Sequence, residues 1–192
     1  MPVNRPVPPP EVTAALLKGL REYTSPRDPL LSLRPEAWLT LKVFSLQIED
    51  IIQKGGLAAA KPAGWRFLVD GGEGSGGPAA ADVAEAATGG QPRMISLLRD
   101  PLITNAIQSV HIVERMEQWK SQEYELRVVR IPGILVEAVW LFSPVGEPDW
   151  VIPTLRRSRQ IKRLWPYPTG EFFEIAQSAS ERCLEFDKPY TN

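Results

Sequence analysis

Apolar, β-branched and aromatic side chains are most densely concentrated in residues 124–153, YELRVVRIPGILVEAVWLFSPVGEPDWVIP. Side chains of these types pack well on a pleated, half-buried surface, so the pattern predicts strands over 123–131, 134–142 and 149–152. Pro132-Gly133 is typical of a turn, because proline presets φ and glycine tolerates positive φ. The segment therefore predicts two or three strands of an antiparallel sheet, with 134–142 at its centre.

Apolar residues recur at three- and four-residue spacing in four other segments, which predicts amphipathic helices over 10–23, 35–54, 101–119 and 170–186. Asp100 and Pro101 favour a helix start. Residues 35–54 have a strand alternative, because LKV and FSLQI both alternate. Since the two alternations are out of phase, which a single half-buried strand does not satisfy, the helix is preferred.

The remaining segments set the domain organisation. Residues 65–69 predict one more strand, whereas residues 71–93, rich in glycine and alanine, predict a flexible loop. Residues 1–10 are half proline and predict a flexible or polyproline-like arm. We therefore expect a single α+β domain over 11–192, in which a small antiparallel sheet of three to four strands packs against several helices.

Composition narrows the class of protein. The chain has 192 residues, 43% of them hydrophobic, with a formal net charge of -1 and one cysteine, Cys183. A near-neutral chain has no overall field that favours nucleic acid or an anionic membrane. A single cysteine excludes an internal disulfide and favours a reducing compartment, and no signal peptide or apolar run of membrane-spanning length is evident. We expect a soluble cytosolic protein of bacterial type.

Catalytic constellations are missing from the sequence. His111 is the only histidine and is predicted to lie in the middle of a helix, where a structural or surface role is expected. Cys183 lies on the apolar stripe of the last predicted helix, which favours a core position. Glutamates at 114, 117, 123 and 125 could bind a cation, but a solvated face explains them as well. The sequence predicts no catalytic residue, cofactor or metal site.

Residues 72–77, GEGSGG, match G-x-G-x-x-G after a predicted strand, which is the context of a dinucleotide-binding turn. The weak helix signal that follows and the antiparallel character of the later strands argue against this interpretation. A nucleotide-binding protein or enzyme using this loop is kept as an alternative.

A dense basic run with nearby aromatic rings follows Pro153. Such a surface docks an acidic protein or contacts phosphates while rings stack on bases. We expect a non-enzymatic interaction module or adaptor that binds another protein, with nucleic acid as the alternative partner. The predicted partner-binding residues are Arg156, Arg157, Arg159, Lys162, Arg163, Trp165 and Tyr167.

Overall fold

One mixed β-sheet with helices on both faces forms the framework of the chain. The computed structural model describes residues 4–53, 56–70, 77–85, 90–99, 101–120 and 123–186. The strands are β1 (Leu39–Ser45), β2 (Lys61–Val69), β3 (Ala79–Ala84), β4 (Arg93–Leu98), β5 (Glu125–Ile131), β6 (Val136–Phe142), β7 (Trp150–Leu155) and β8 (Tyr167–Pro168). The helices are α1 (Pro10–Tyr23), α2 (Ile48–Ile52), α3 (Pro101–Arg115), α4 (Glu117–Lys120) and α5 (Thr169–Phe186).

The strand order is β4-β3-β2-β1-β5-β6-β7-β8. The central pair β1–β5 is parallel, and every other pair is antiparallel. Each half of the sheet is thus a meander that starts at the centre and runs outward to one edge. Because the first meander ends at an edge, the chain returns to the centre through α3, which supplies the crossover that a parallel pair requires.

The predicted small antiparallel sheet of three to four strands is wrong, because the sheet has eight strands and is mixed. The first error lies in residues 35–54, which form β1 and the short α2 instead of one long helix. Leu41 and Val43 pack in the cluster that contains α3, whereas Phe44 packs in the cluster that contains α5. A central strand covered on both faces need not alternate, which explains the out-of-phase pattern.

The second error concerns the alanine-rich part of residues 71–93, which forms β3 instead of a flexible loop. Ala79, Ala80 and Ala81 are completely buried between β2 and β4, with Ala79 and Ala81 beneath α1 and Ala80 on the face covered by α3. A small residue also lets α1 approach β4 closely, because a Cβ on Gly19 would lie only 2.4 Å from the Cβ of Met94. Residues 71–76 and 86–89 of the predicted loop lie outside the described residues.

Elements with a single buried stripe agree with the sequence pattern. The helices predicted over 10–23, 101–119 and 170–186 are confirmed as α1, α3 with α4, and α5. The strands predicted over 65–69, 123–131, 134–142 and 149–152 correspond to β2, β5, β6 and β7. Asp100, the expected cap of α3, lies outside the described residues.

Different helices cover the two faces of the sheet. α3 covers the centre of one face with Ile103, Ile107 and Val110. On the other face, α1 packs over the first meander, while α2 and α5 pack over the second. The N-terminal segment crosses the centre, where the Asn4 backbone hydrogen-bonds to β5 and the Pro6 carbonyl accepts the Thr40 hydroxyl at 2.6 Å. Among the described helices, none is both long and apolar enough to cross a bilayer.

Four charged side chains form a closed ring of alternating sign across the middle of the sheet. Arg66 on β2 donates to Asp82 on β3 at 2.8 Å and also to Glu137 on β6. Arg130 on β5 donates to the same two acids, at 2.6 Å to Asp82 and 2.9 Å to Glu137. We call these four residues the charge ring. Because β1 lies between β2 and β5, the ring bridges the two meanders.

The charge ring is largely buried, so its charged groups depend on one another for stabilisation. Only 3% of the Arg66 side chain and 7% of the Asp82 side chain are exposed. Burial alone would raise the pKa of both carboxyl groups, but the two arginines outweigh it and hold the pKa of Asp82 and of Glu137 below their usual range. Burial would likewise lower the pKa of Arg66, but Glu137 and Asp82 raise it instead. Arg66, Asp82 and Glu137 are therefore charged at neutral pH.

The free energies of unfolding that are lost on removing Arg66 and on removing Asp82 should not be additive. We expect Asp82→Leu or Arg66→Met alone to lower the free energy of unfolding by about 3–5 kcal/mol, because each leaves a buried charge short of a partner. The double variant keeps the neutral Arg130–Glu137 pair and should lose less than the sum. Urea unfolding of the four proteins in a double-mutant cycle measures the coupling, and additive losses would show that the ring is not a coupled unit.

The ring should also make stability depend on acid pH. Because the folded-state pKa values of Asp82 and Glu137 are depressed, the unfolded chain takes up protons first as the pH falls. The stabilisation is complete above about pH 5 and is lost as the pH falls through the ordinary carboxyl pKa of about 4 and towards the folded-state values. We expect the urea midpoint to fall over this window, and to fall less in the Arg66→Met/Asp82→Leu variant. Parallel midpoint–pH curves would assign the acid sensitivity to other groups.

Candidate functional site

The basic run of the sequence forms the connection between β7 and β8, and we call residues 156–165 the basic loop. Its middle is fixed by Ile161, which is completely buried in the cluster around α5. The backbone N–H of Lys162 donates to the Tyr167 hydroxyl at 2.8 Å, and that of Leu164 donates to the Pro153 carbonyl at 2.8 Å. These contacts give the loop a defined path and leave its charged side chains on the outside.

Five exposed cationic side chains crowd this loop, and none forms an ion pair with a carboxylate of the described residues. Several arginines elsewhere have such a partner, including Arg5 with Glu114, Arg99 with Asp28 and Arg127 with Glu125. The loop is therefore a local concentration of uncompensated positive charge on a nearly neutral chain. The five residues are Arg156, Arg157, Arg159, Lys162 and Arg163.

The two aromatic residues of the predicted surface have different environments. Trp165 is 53% exposed, and the Lys162 ammonium lies 5.2 Å from its ring centroid. Tyr167 is only 2% exposed and packs against Phe172 at a centroid distance of 6.3 Å. Trp165 can thus meet a partner directly, whereas Tyr167 supports the loop from beneath.

A groove of about 380 Å³ lies beside the basic loop, between the loop, α5 and the turn at Pro132–Ile134. Arg157 and Ser158 of the loop face it together with Arg182 of α5. Its other lining residues are Gly133, Ile134, Ala179 and Cys183. The structure thus brings Arg182, which the sequence pattern does not single out, to the same site as the basic run.

Hydrogen bonds hold the groove side of the loop in place. The Arg182 guanidinium donates to the Gln160 side-chain oxygen, which ties α5 to the loop. The Gln160 backbone N–H donates to the Ser158 hydroxyl oxygen at 3.3 Å, and Arg156 donates to the Ser158 carbonyl at 3.0 Å. The Arg182 guanidinium at the groove is therefore oriented before any partner arrives.

The candidate nucleophile and base do not meet. His111 lies on α3 and its Nε2 is 3.3 Å from an Asp70 carboxylate oxygen, with both side chains substantially exposed. Cys183 packs at the edge of the cluster formed by α5, which covers the opposite face of the sheet. This geometry provides no cysteine–histidine pair.

The glutamates at 114 and 125, near the start of β5, are paired with arginines. Glu114 pairs with Arg5 at 3.0 Å, and Glu125 pairs with Arg127 at 2.7 Å. Within the part of the chain that the structure describes, no three histidine, cysteine or acidic side chains are grouped so as to hold a metal ion.

The glycine-rich match at 72–77 lies almost entirely outside the described residues, of which only Gly77 is included. The element that follows is β3, which pairs antiparallel with β2. A dinucleotide-binding turn leads from a strand into a helix whose N-terminus holds the pyrophosphate. That arrangement is absent from the described flanks of the loop.

No protein-family model matches the chain, and neither the curated proteins nor the solved structures contain a significant match.

Anchoring and exposed residues of the basic loop should respond differently to truncation. We expect Ile161→Ala to lower the free energy of unfolding by about 2–5 kcal/mol, because it empties a fully buried position. Trp165→Ala should change it by no more than about 0.5 kcal/mol, since half of the ring is in solvent. Urea unfolding monitored by far-UV circular dichroism measures both, and a large loss for Trp165→Ala would mean that its ring is structural.

Proposed function

We propose that the chain is a non-enzymatic interaction module that docks an acidic segment of a partner protein against the basic loop. The observation that carries the proposal is the group of five exposed cations without described carboxylate partners, next to the exposed indole of Trp165. Like charges this close repel one another, and an acidic partner relieves that repulsion on binding.

The form of the surface also supports protein docking. Tryptophan and arginine are the residue types that dominate binding energy at protein interfaces. The loop is anchored by Ile161 and by the Tyr167 hydroxyl, so little ordering entropy is lost when a partner binds. The cytosol is the compartment we propose, since a single cysteine and no possible internal disulfide favour a reducing environment.

Nucleic acid is the second candidate partner, favoured by the cation–π arrangement of Lys162 and Trp165, which resembles a phosphate contact beside a stacking ring. The net charge of -1 gives the molecule no long-range attraction for a polyanion, which favours the protein partner. The salt dependence of binding separates the two, because each displaced phosphate counterion steepens the loss of affinity.

Charge reversal of the basic loop should abolish partner capture. We expect Arg156→Glu/Arg157→Glu/Arg159→Glu to lose the proteins that the wild-type chain retains in affinity capture from its source cells, while its unfolding curve is unchanged. The matched control is Arg21→Glu/Arg27→Glu/Arg34→Glu, which makes the same charge change at exposed residues of α1 and of the segment between α1 and β1. The control should retain the same proteins, as quantified by mass spectrometry after nuclease treatment at moderate salt.

Two outcomes would overturn the protein-docking proposal. Retention of the same proteins by the loop variant would place the binding surface elsewhere. Capture that disappears with nuclease or at moderate salt would assign the loop to nucleic acid.

A further inference from the structure

The groove beside the basic loop combines charged, polar and apolar lining residues, and this combination indicates the chemical group that the groove binds. Two arginines from separate elements, Arg157 of the loop and Arg182 of α5, line one cavity together with Ser158. We propose that this groove receives a phosphorylated serine or threonine side chain of the partner's acidic segment. The inference rests on the proposed function and adds the chemical group that is recognised.

The number and type of donors favour a phosphate over a carboxylate. A guanidinium presents a planar fork that binds two oxygens of one anion, so a single arginine already satisfies a carboxylate. A phosphate monoester carries a charge of about -1.5 to -2 and three acceptor oxygens, which two guanidinium groups and a hydroxyl can share. The residues that carry these groups, Arg157, Arg182 and Ser158, line the groove together.

The charge balance around the groove agrees with a dianion. Its lining contains two arginines and no acidic residue among the described residues. Neither Arg157 nor Arg182 forms an ion pair with a carboxylate in the described part of the chain. A bound dianion would therefore supply the counter-charge that both guanidinium groups lack.

Existing hydrogen bonds orient Arg182 and Ser158 and leave both with N–H or O–H groups that can donate to a phosphate. Arg182 donates through one terminal nitrogen to Gln160, and Gln160 in turn donates to the Ser158 hydroxyl oxygen. The Ser158 hydroxyl accepts in this contact, so its own proton is free to donate to a phosphate oxygen. Because Arg182 and Ser158 are already held by these contacts, a phosphate binds with little reorganisation of the loop.

The size and lining of the groove fit a side chain within a peptide. Its volume of about 380 Å³ exceeds what a phosphate group alone fills, and Ile134 and Ala179 provide an apolar surface beside the charged groups. An apolar neighbour of the phosphorylated residue can cover this surface. The acidic residues further along the segment then lie against the exposed cations of the basic loop.

The groove contains its own reporter, because Cys183 is the only cysteine of the chain and lines the cavity. Occupancy should slow alkylation of this thiol by N-ethylmaleimide. The probes are two pools of short acidic peptides that are identical except for a central phosphoserine or serine. Fluorescence anisotropy measures affinity, and intact-mass spectrometry follows alkylation.

We expect the phosphoserine pool to bind about tenfold more tightly than the serine pool, the effect of one additional charge-assisted hydrogen bond. Only the phosphoserine pool should slow alkylation of Cys183 severalfold. Arg182→Gln should weaken binding of the phosphoserine pool more than binding of the serine pool and so remove the phosphoserine advantage, because the phosphate requires the second guanidinium group. Arg182→Lys, which keeps the charge but not the fork, should restore only part of it. Arg21→Gln, the matched control at an exposed position of α1, should change neither the affinity for the two pools nor the protection of Cys183.

Each contrary result has a distinct meaning. Equal binding of both pools, with no protection of Cys183, overturns the phosphate inference while the proposed protein-docking function stands. Binding of neither pool overturns both, and tight, salt-sensitive binding of an oligothymidylate in the same assay would then assign the surface to nucleic acid. Loss of the phosphoserine advantage in Arg21→Gln would show that it reflects overall charge and not the groove.

Discussion

The charge ring of Arg66, Asp82, Arg130 and Glu137 is the constraint on which the arrangement of the sheet depends. Four charges tolerate this degree of burial only because each has two neighbours of opposite sign. The ring draws one side chain from each of β2, β3, β5 and β6, so a slip of one residue in any of these strands would turn a charge to the opposite face. It therefore selects one register for the two meanders at the parallel junction.

The arginines of the basic loop are exposed, whereas those of the charge ring are largely buried and paired. In the ring, each arginine has two carboxylates within hydrogen-bonding distance, whereas the loop cations are exposed and have none in the described part of the chain. The path of the loop is nevertheless fixed, since Ile161 is buried and Tyr167 accepts the Lys162 N–H. A rigid support with unsatisfied charge at its surface is the arrangement that favours binding, because the partner completes interactions that folding leaves open.

The elements that could be predicted from the sequence are those with one buried face or dense β-branched composition. α1, α3 and α5 show a single apolar stripe, and residues 124–153 show the side chains typical of strands. β1 could not be recognised, because Leu41 and Phe44 are buried on opposite faces by helices far away in the chain. β3 could not be recognised either, since alanine has weak preferences and its burial depends on the neighbours. Of the site, the charged run is visible in the sequence, but Arg182 reaches the groove only through the packing of α5, and the burial of Tyr167 has no local signal.

The parallel junction at the centre also has a consequence for how the chain folds. Within each meander, strands pair with their sequence neighbours, so these contacts close short loops. The junction instead joins Val43 to Val128, two residues in different halves of the chain. Closing a loop of that length carries the greater entropic cost, so we expect formation of this junction to limit the folding rate. Two of the four contacts in the charge ring, Arg66–Glu137 and Arg130–Asp82, join the two meanders and therefore form only when the halves dock.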